Sequence, residues 1–147
     1  MFLGRYAHTV DSKGRVSIPT RFREILTDLY EDKLIITPDP DQCLSGFPVE
    51  EWRRIQDRVK DIPKIDPAVK DWLRFFYAGA SETGLDRQGR ILLTSFHRNY
   101  ARIARDVVII GMERKIEIWD ASRWKEKEIQ VPKNAKKIGE ELSDLGF

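Results

Sequence analysis

Two short stretches carry residue types that could do chemistry at a fixed spacing: Asp11-Ser12-Lys13-Gly14-Arg15 and, 75 positions on, Asp86-Arg87-Gln88-Gly89-Arg90. In each, the Asp opens a four-residue turn, because its carboxylate accepts hydrogen bonds from backbone N–H groups further round. The Gly closes the turn with the freedom that a type I turn or an αL bulge demands. Turn chemistry therefore accounts for Asp11, Gly14, Asp86 and Gly89. It leaves Arg15 and Arg90 unexplained, together with the cations at the tips, Lys13 and Arg87. One reading is an ion pair back to the Asp across the turn, which for exposed groups contributes only about 0.2–1 kcal/mol. The other is anion binding. A guanidinium on a rigid hairpin offers five fixed donors that match phosphate oxygens or the O6/N7 edge of guanine, and a two-stranded ribbon is one of the few protein elements that fits the major groove. Recurrence of the arrangement favours the second reading, a polyanion-binding hairpin presented twice, with Arg15 and Arg90 as its contacts and Lys13 and Arg87 as helpers. Arg21 and Arg23 are read first as the solvated side of a helix and second as accessory phosphate contacts, and Arg5 stands with them.

Other chemistries find little support. Asp11 and Asp86 make a carboxylate pair only on paper, since each occupies a turn position that Asp favours anyway and no nucleophile, base or oxyanion element accompanies them. His8, His97 and Cys43 lack metal-ligand spacing, and neither a P-loop nor a G-x-G-x-x-G stretch occurs. The expectation is a protein that is not an enzyme and needs no metal, cofactor or small-molecule ligand.

The elements that must position the two turns recur with them. Arg5 to Val10 predicts a strand, Arg15 to Ile18 its hairpin partner, and Pro19 the entry to a helix whose Phe22, Ile25, Leu26 and Leu29 share one face. Lys33 to Thr37 and Cys43 to Phe47 predict strands, and Pro48 starts a helix containing Trp52, Ile55 and Val59. In the second copy Glu82 to Leu85 and Arg90 to Leu93 are the strand pair. Thr94 or Ser95 caps a helix running through Phe96, Tyr100 and Ile103, and Val107 to Ile110 is a strand that turns at Gly111 into Lys115 to Trp119. Asp120 then caps a helix containing Trp124. The predicted organisation is a repeat over 5–52, a helical connector over 53–79 in which Asp66-Pro67 opens a helix, a second repeat over 80–124, and a C-terminal helix and tail over 125–147. Core packing is the default for the four tryptophans, with Trp72 and Trp119 also suited to a subunit interface.

At 147 residues each repeat alone is too small to bury much surface, so the halves are expected to share a core. The net charge of +2 is too small to announce a nucleic-acid partner. Its distribution is more telling, because cations gather in the two repeat turns and the segments after them, including Arg98, Arg102 and Arg105 in the second copy. A single cysteine excludes an internal disulfide, and no apolar run approaches the ~18 residues of a membrane span. A cytoplasmic protein is expected.

The opening Met-Phe-Leu-Gly-Arg-Tyr, the run Asp11 to Pro19, the second turn with Ile91, Leu92 and Leu93, and Glu117-Ile118-Trp119-Asp120 closely resemble the bacterial MraZ family. The resemblance covers nearly the whole chain. It implies an α+β fold with a mostly β core, built from two tandem SpoVT-AbrB (AbrB-like, swapped-hairpin) β-barrel half-modules related by a pseudo-two-fold axis, with flanking helices. It further implies a nucleoid-associated transcriptional regulator of the division and cell wall gene cluster that binds repeated boxes of double-stranded promoter DNA as a homo-oligomeric ring. The Asp-x-x-x-Arg signature of Asp11 with Arg15 and of Asp86 with Arg90 corresponds to that family's DNA-contacting element. This chain departs from symmetry where Gln88 replaces Lys13 and Thr94 replaces Pro19, so the second hairpin is expected to be the weaker or differently oriented contact, with Arg87 partly restoring the charge. The competing classes are an antitoxin-type module, which expects one hairpin and a long disordered tail, and a structural ring without DNA.

Overall fold

The computed structural model describes residues 1–63 and 66–147, so that Lys64 and Ile65 of the connector lie outside it. The first repeat supplies β1 (Arg5–Thr9), β2 (Arg15–Ser17), α1 (Thr20–Leu29), β3 (Lys33–Pro38), β4 (Leu44–Pro48) and α2 (Val49–Lys60). After α3 (Pro67–Ala78), the second supplies β5 (Ser81–Gly84), β6 (Arg90–Leu92), α4 (Ser95–Tyr100), β7 (Asp106–Met112), β8 (Lys115–Asp120) and α5 (Ala121–Asn134). A 3₁₀ turn at Ala135–Ile138 and α6 (Gly139–Asp144) come last. None of the described helices is long and apolar enough to cross a membrane.

The fold is α+β and mostly strand, as expected, with a six-stranded antiparallel sheet in the order β1-β7-β8-β4-β3-β5 and a separate antiparallel pair, β2 with β6. Exchanging each strand for its repeat counterpart reproduces the same order reversed, which is the signature of a pseudo-two-fold axis. The axis passes where equivalent residues face each other: Ser45 opposite Glu117 between β4 and β8, and Val16 opposite Ile91 between β2 and β6.

This topology corrects the expectation that β1 and β2 pair as a local hairpin. β1 lies against β7 over its whole length, β2 lies against β6, and a single bridge, Val10 with Val16, links the two arms of the first turn. The reason is burial. Crossing puts Val16, Ile18, Ile91 and Leu93 into one cluster with Phe22, Leu26, Leu34, Ile36, Ile109 and Ile118, all 2% exposed or less. Each such side chain contributes about 1.5–3 kcal/mol when fully buried, and a local hairpin in either half would have to cover these residues without the other half.

Local signals fix the helices. α1 buries Phe22, Ile25 and Leu26 behind Pro19, and α3 is capped by the Asp66 carboxylate, which accepts from the Ala68 N–H at 2.8 Å. Two expectations need correcting. The helix expected to run through Ile103 stops at Tyr100, because Arg102 takes φ +54° and the Ile103 N–H turns back to the Arg98 carbonyl at 2.9 Å. Gly111 is not a turn residue but lies within β7, where a Cβ would come within 2.4 Å of the Phe2 and Leu3 backbone; the reversal comes at Glu113, φ +65°. Of the two tryptophans suited to an interface, Trp119 is internal, 3% exposed, and its indole N–H donates to Glu117 Oε1 at 3.0 Å.

Candidate nucleic-acid interface

Both turns are built the same way. In the first, Asp11 Oδ1 accepts from the backbone N–H groups of Lys13 and Arg15, each at 2.9 Å, and Oδ2 accepts from Arg15 Nε at 2.7 Å. In the second, Asp86 Oδ1 accepts from the N–H groups of Gln88 and Arg90 at 2.9 Å, and Oδ2 from Arg90 Nε at 2.9 Å. Gly14 and Gly89 sit at φ +84° and +73°, the left-handed region that glycine enters without a Cβ penalty. The backbone N–H of the Arg, aided by its guanidinium, holds each Asp carboxyl below its ordinary range.

The turns are locked to each other across the repeats. The Ile18 N–H donates to the Gly89 carbonyl at 2.9 Å, and the Leu93 N–H to the Gly14 carbonyl at 2.8 Å. Arginines at equivalent helix positions add a second crossing. Arg23 of α1 donates through Nη1 to the Gln88 carbonyl at 3.2 Å, while Arg98 of α4 lies against Gly14, its guanidinium 3.3 Å from where a glycine Cβ would stand. Strand alternation then sorts the β2·β6 ribbon into two faces. Val16 and Ile91 point into the core, leaving Arg15, Ser17, Arg90 and Leu92 on the other side.

Thus Arg15 and Arg90 share one face of a two-stranded ribbon, with side chains 36% and 25% exposed. Each has its Nε fixed on a carboxylate, and that tether aims the planar fork while leaving Nη donors for an external anion. A weaker cross-repeat ion pair joins Arg90 Nη1 to Asp11 Oδ2 at 3.7 Å. Lys13 and Arg87 are exposed at the tips, with no carboxylate partner among the described residues. Of the remaining candidates, Arg21 pairs with Glu24 at 3.2 Å and Arg5 with Glu128 at 3.0 Å. Sequence reasoning did not place Arg98 at a turn. The available signal was its position 75 residues after Arg23, but its significance depends on the strand crossing.

The buried Asp39, Cys43 and Glu117 approach one another closely enough to hold a cation. That place is taken by the Lys115 ammonium, which lies 3.1 Å from Asp39 Oδ2, 3.1 Å from Glu117 Oε2 and 3.0 Å from Ser45 Oγ. Burial pushes the Cys43 thiol pKa up, against thiolate formation. His97 is committed to structure, with Nδ1 facing the Thr94 N–H and Nε2 donating to the Gly79 carbonyl at 2.7 Å.

The family model described as "MraZ protein, putative antitoxin-like" matches residues 1–75 and again 76–141. Full-length relatives agree with it. The chain is 41% identical over 147 residues to the transcriptional regulator MraZ of Acetivibrio thermocellus and 40% identical over 147 residues to that of Syntrophomonas wolfei, covering 100% of each. It is also 40% identical over 145 residues to that of Moorella thermoacetica, with 99% of both chains covered. Matched once in each half and along its whole length, this chain belongs to the MraZ family of transcriptional regulators.

Proposed function

We propose that the protein regulates transcription by gripping promoter DNA with the paired turns, Arg15 and Arg90 entering the groove and Lys13 and Arg87 contacting phosphates at its edges. The observation that carries this reading is the duplicated tether: both forks are aimed by an Asp from inside a turn, and the two turns are hydrogen-bonded to each other. A preorganised guanidinium loses little rotamer freedom on meeting guanine O6/N7 or phosphate oxygens, so more of its interaction appears as affinity. Leu92, opposite Arg15 on the ribbon, adds an apolar group suited to a thymine methyl.

One protomer presents few cations. Neutralising about six phosphates gives a log–log salt slope near −5, which leaves a single copy weakly bound at physiological salt. Several linked copies on successive sites gain avidity without a new kind of contact, in keeping with a homo-oligomeric ring on repeated promoter boxes of the division and cell wall cluster. Head-to-tail assembly would favour direct repeats spaced by about one DNA turn, whereas a two-fold dimer would favour a palindrome. On this reading the protein works in the cytoplasm at the nucleoid and requires neither cofactor nor small-molecule ligand.

The test is a gel shift on the region upstream of its own gene, with scrambled DNA as control, for Arg15→Ala, Arg90→Ala and the double variant. Each single variant is expected to weaken binding by about 1–3 kcal/mol per lost bidentate contact, and the double variant to abolish the specific shift. Unchanged affinity in the double variant, with oligomers intact by size-exclusion chromatography, would refute the assignment.

A further inference from the structure

The strand crossing gives the two turns opposite electrostatic surroundings. The residue before each turn, Val10 or Leu85, donates its N–H to the loop that leads into the first long strand of the other repeat's sheet half. For Val10 the acceptor is the Arg105 carbonyl at 2.8 Å, and for Leu85 it is the Asp32 carbonyl at 3.2 Å. Arg105 and Asp32 are therefore equivalent positions carrying opposite charges. In sequence, Arg102 and Arg105 precede Asp106 on one side and Glu31 and Asp32 precede Lys33 on the other, so the first stretch is net positive and the second net negative.

Beside the first turn the surface also opens into a cleft of about 570 Å³, lined by Thr9, Asp11, Ser12, Arg98 and Arg105 among others. Neither Arg98 nor Arg105 has a carboxylate partner within ion-pair distance among the described residues. Arg98 is half-buried, its Nε donating to the Thr94 carbonyl at 3.4 Å, and Arg105 is exposed, so the cleft is lined by one held and one free arginine together with Ser12. The counterpart of Arg98, Arg23, is engaged with the Gln88 carbonyl and with Thr20 Oγ1 at 2.8 Å.

Resting on the DNA-binding reading above, we infer that the cleft formed by Ser12, Arg98 and Arg105 is a docking site for a DNA backbone phosphate. The first turn is consequently the anchoring contact and the second the weaker one. A phosphate there meets two charge-assisted donors supplied across the repeat boundary and the Ser12 hydroxyl of the turn itself, while the Asp11 carboxylate in the same lining is already engaged by Arg15 Nε and two backbone N–H groups. At the second turn the same approach brings a phosphate towards Asp32, and like charges oppose it.

The experiment measures anisotropy of a fluorescein-labelled duplex covering the region upstream of the gene, and of a random-sequence duplex of equal length, over a range of KCl concentrations. It compares the full-length protein with Arg105→Ala, Arg105→Glu, Asp32→Asn and the Arg15→Ala/Arg90→Ala double variant, with circular dichroism melts to monitor folding. Asn is chosen at position 32 because it tolerates the φ of +52° found there. Arg105→Ala is expected to weaken binding to both duplexes and to reduce the magnitude of the salt slope by about 1 per engaged protomer, as loss of one phosphate contact requires. Arg105→Glu weakens binding further, and Asp32→Asn leaves it equal or tighter. If both Arg105 variants bind with parental affinity and slope while the double variant fails to bind, the phosphate cleft is refuted and the turn assignment stands. If the double variant itself binds normally, the underlying DNA-contact reading fails instead. A loss on Asp32→Asn equal to that on Arg105→Ala would overturn the asymmetry between the turns.

Discussion

Gly14→Ala tests the interlocked turns most directly. Gly14 adopts φ +84°, where an L side chain costs roughly 1–2 kcal/mol. Its Cβ would also stand 2.5 Å from the Leu93 carbonyl oxygen, a backbone atom of the other repeat that cannot rotate aside. Separating them stretches the 2.8 Å bond from the Leu93 N–H to the Gly14 carbonyl, a loss of about 1 kcal/mol. The expected cost is about 2–3 kcal/mol, which lowers Tm by roughly 5–10 °C in a chain of this size. Gly89→Ala is the internal control. Its φ of +73° carries a similar penalty, but its new Cβ meets the Arg23 guanidinium, the far end of a flexible side chain that can swing away. Gly89→Ala should therefore melt above Gly14→Ala, by about 1 kcal/mol in stability terms. Thermal unfolding by circular dichroism at one fixed protein concentration measures both, since assembly makes Tm concentration-dependent. A Gly14→Ala protein that melts with the parent, or below which Gly89→Ala falls, would show that the turns are not locked as described.

Lys115→Met leaves the buried Asp39 and Glu117 facing each other without their shared cation, and should cost about 3–5 kcal/mol in urea unfolding; parental stability would contradict the ion-cluster account. His97 is held below its ordinary pKa of 6.5, first by burial, so that between its folded and unfolded pKa values the unfolded chain binds the extra proton. Stability should accordingly fall as pH drops below about 6.5, and His97→Gln should flatten that dependence; an unchanged slope of urea midpoint against pH would remove His97 as its source.

Much of the site was legible because its chemistry is local. An Asp that caps its own turn, a Gly that closes it and an Arg four residues on whose Nε meets the Asp carboxylate need only five consecutive residues, and both copies fold alike. Helix boundaries followed from Pro19, Asp66, Thr94 and Asp120 for the same reason, each acting within one turn of its helix. The failures came where distant chain segments compete. Gly111 has turn chemistry, but the passage of Phe2 and Leu3 over β7 claimed its missing side chain. Strand partners were misassigned because the alternation in β1 and β2 specifies which face is buried and says nothing of which strand lies alongside.

By itself, then, the sequence determined the repeat, the Asp-tethered arginines and the α+β elements around them. Only the tertiary structure decided which strands lie alongside which across the repeats, and with them the electrostatic neighbours of each turn. Arg98 and Arg105 belong to the second repeat yet line a cleft at the first turn, and Asp32 of the first repeat flanks the second. The physical reason is the core. Neither half can cover Val16, Ile18, Ile91 and Leu93 alone, and the crossing that buries them carries every loop attached to those strands to the opposite side of the axis.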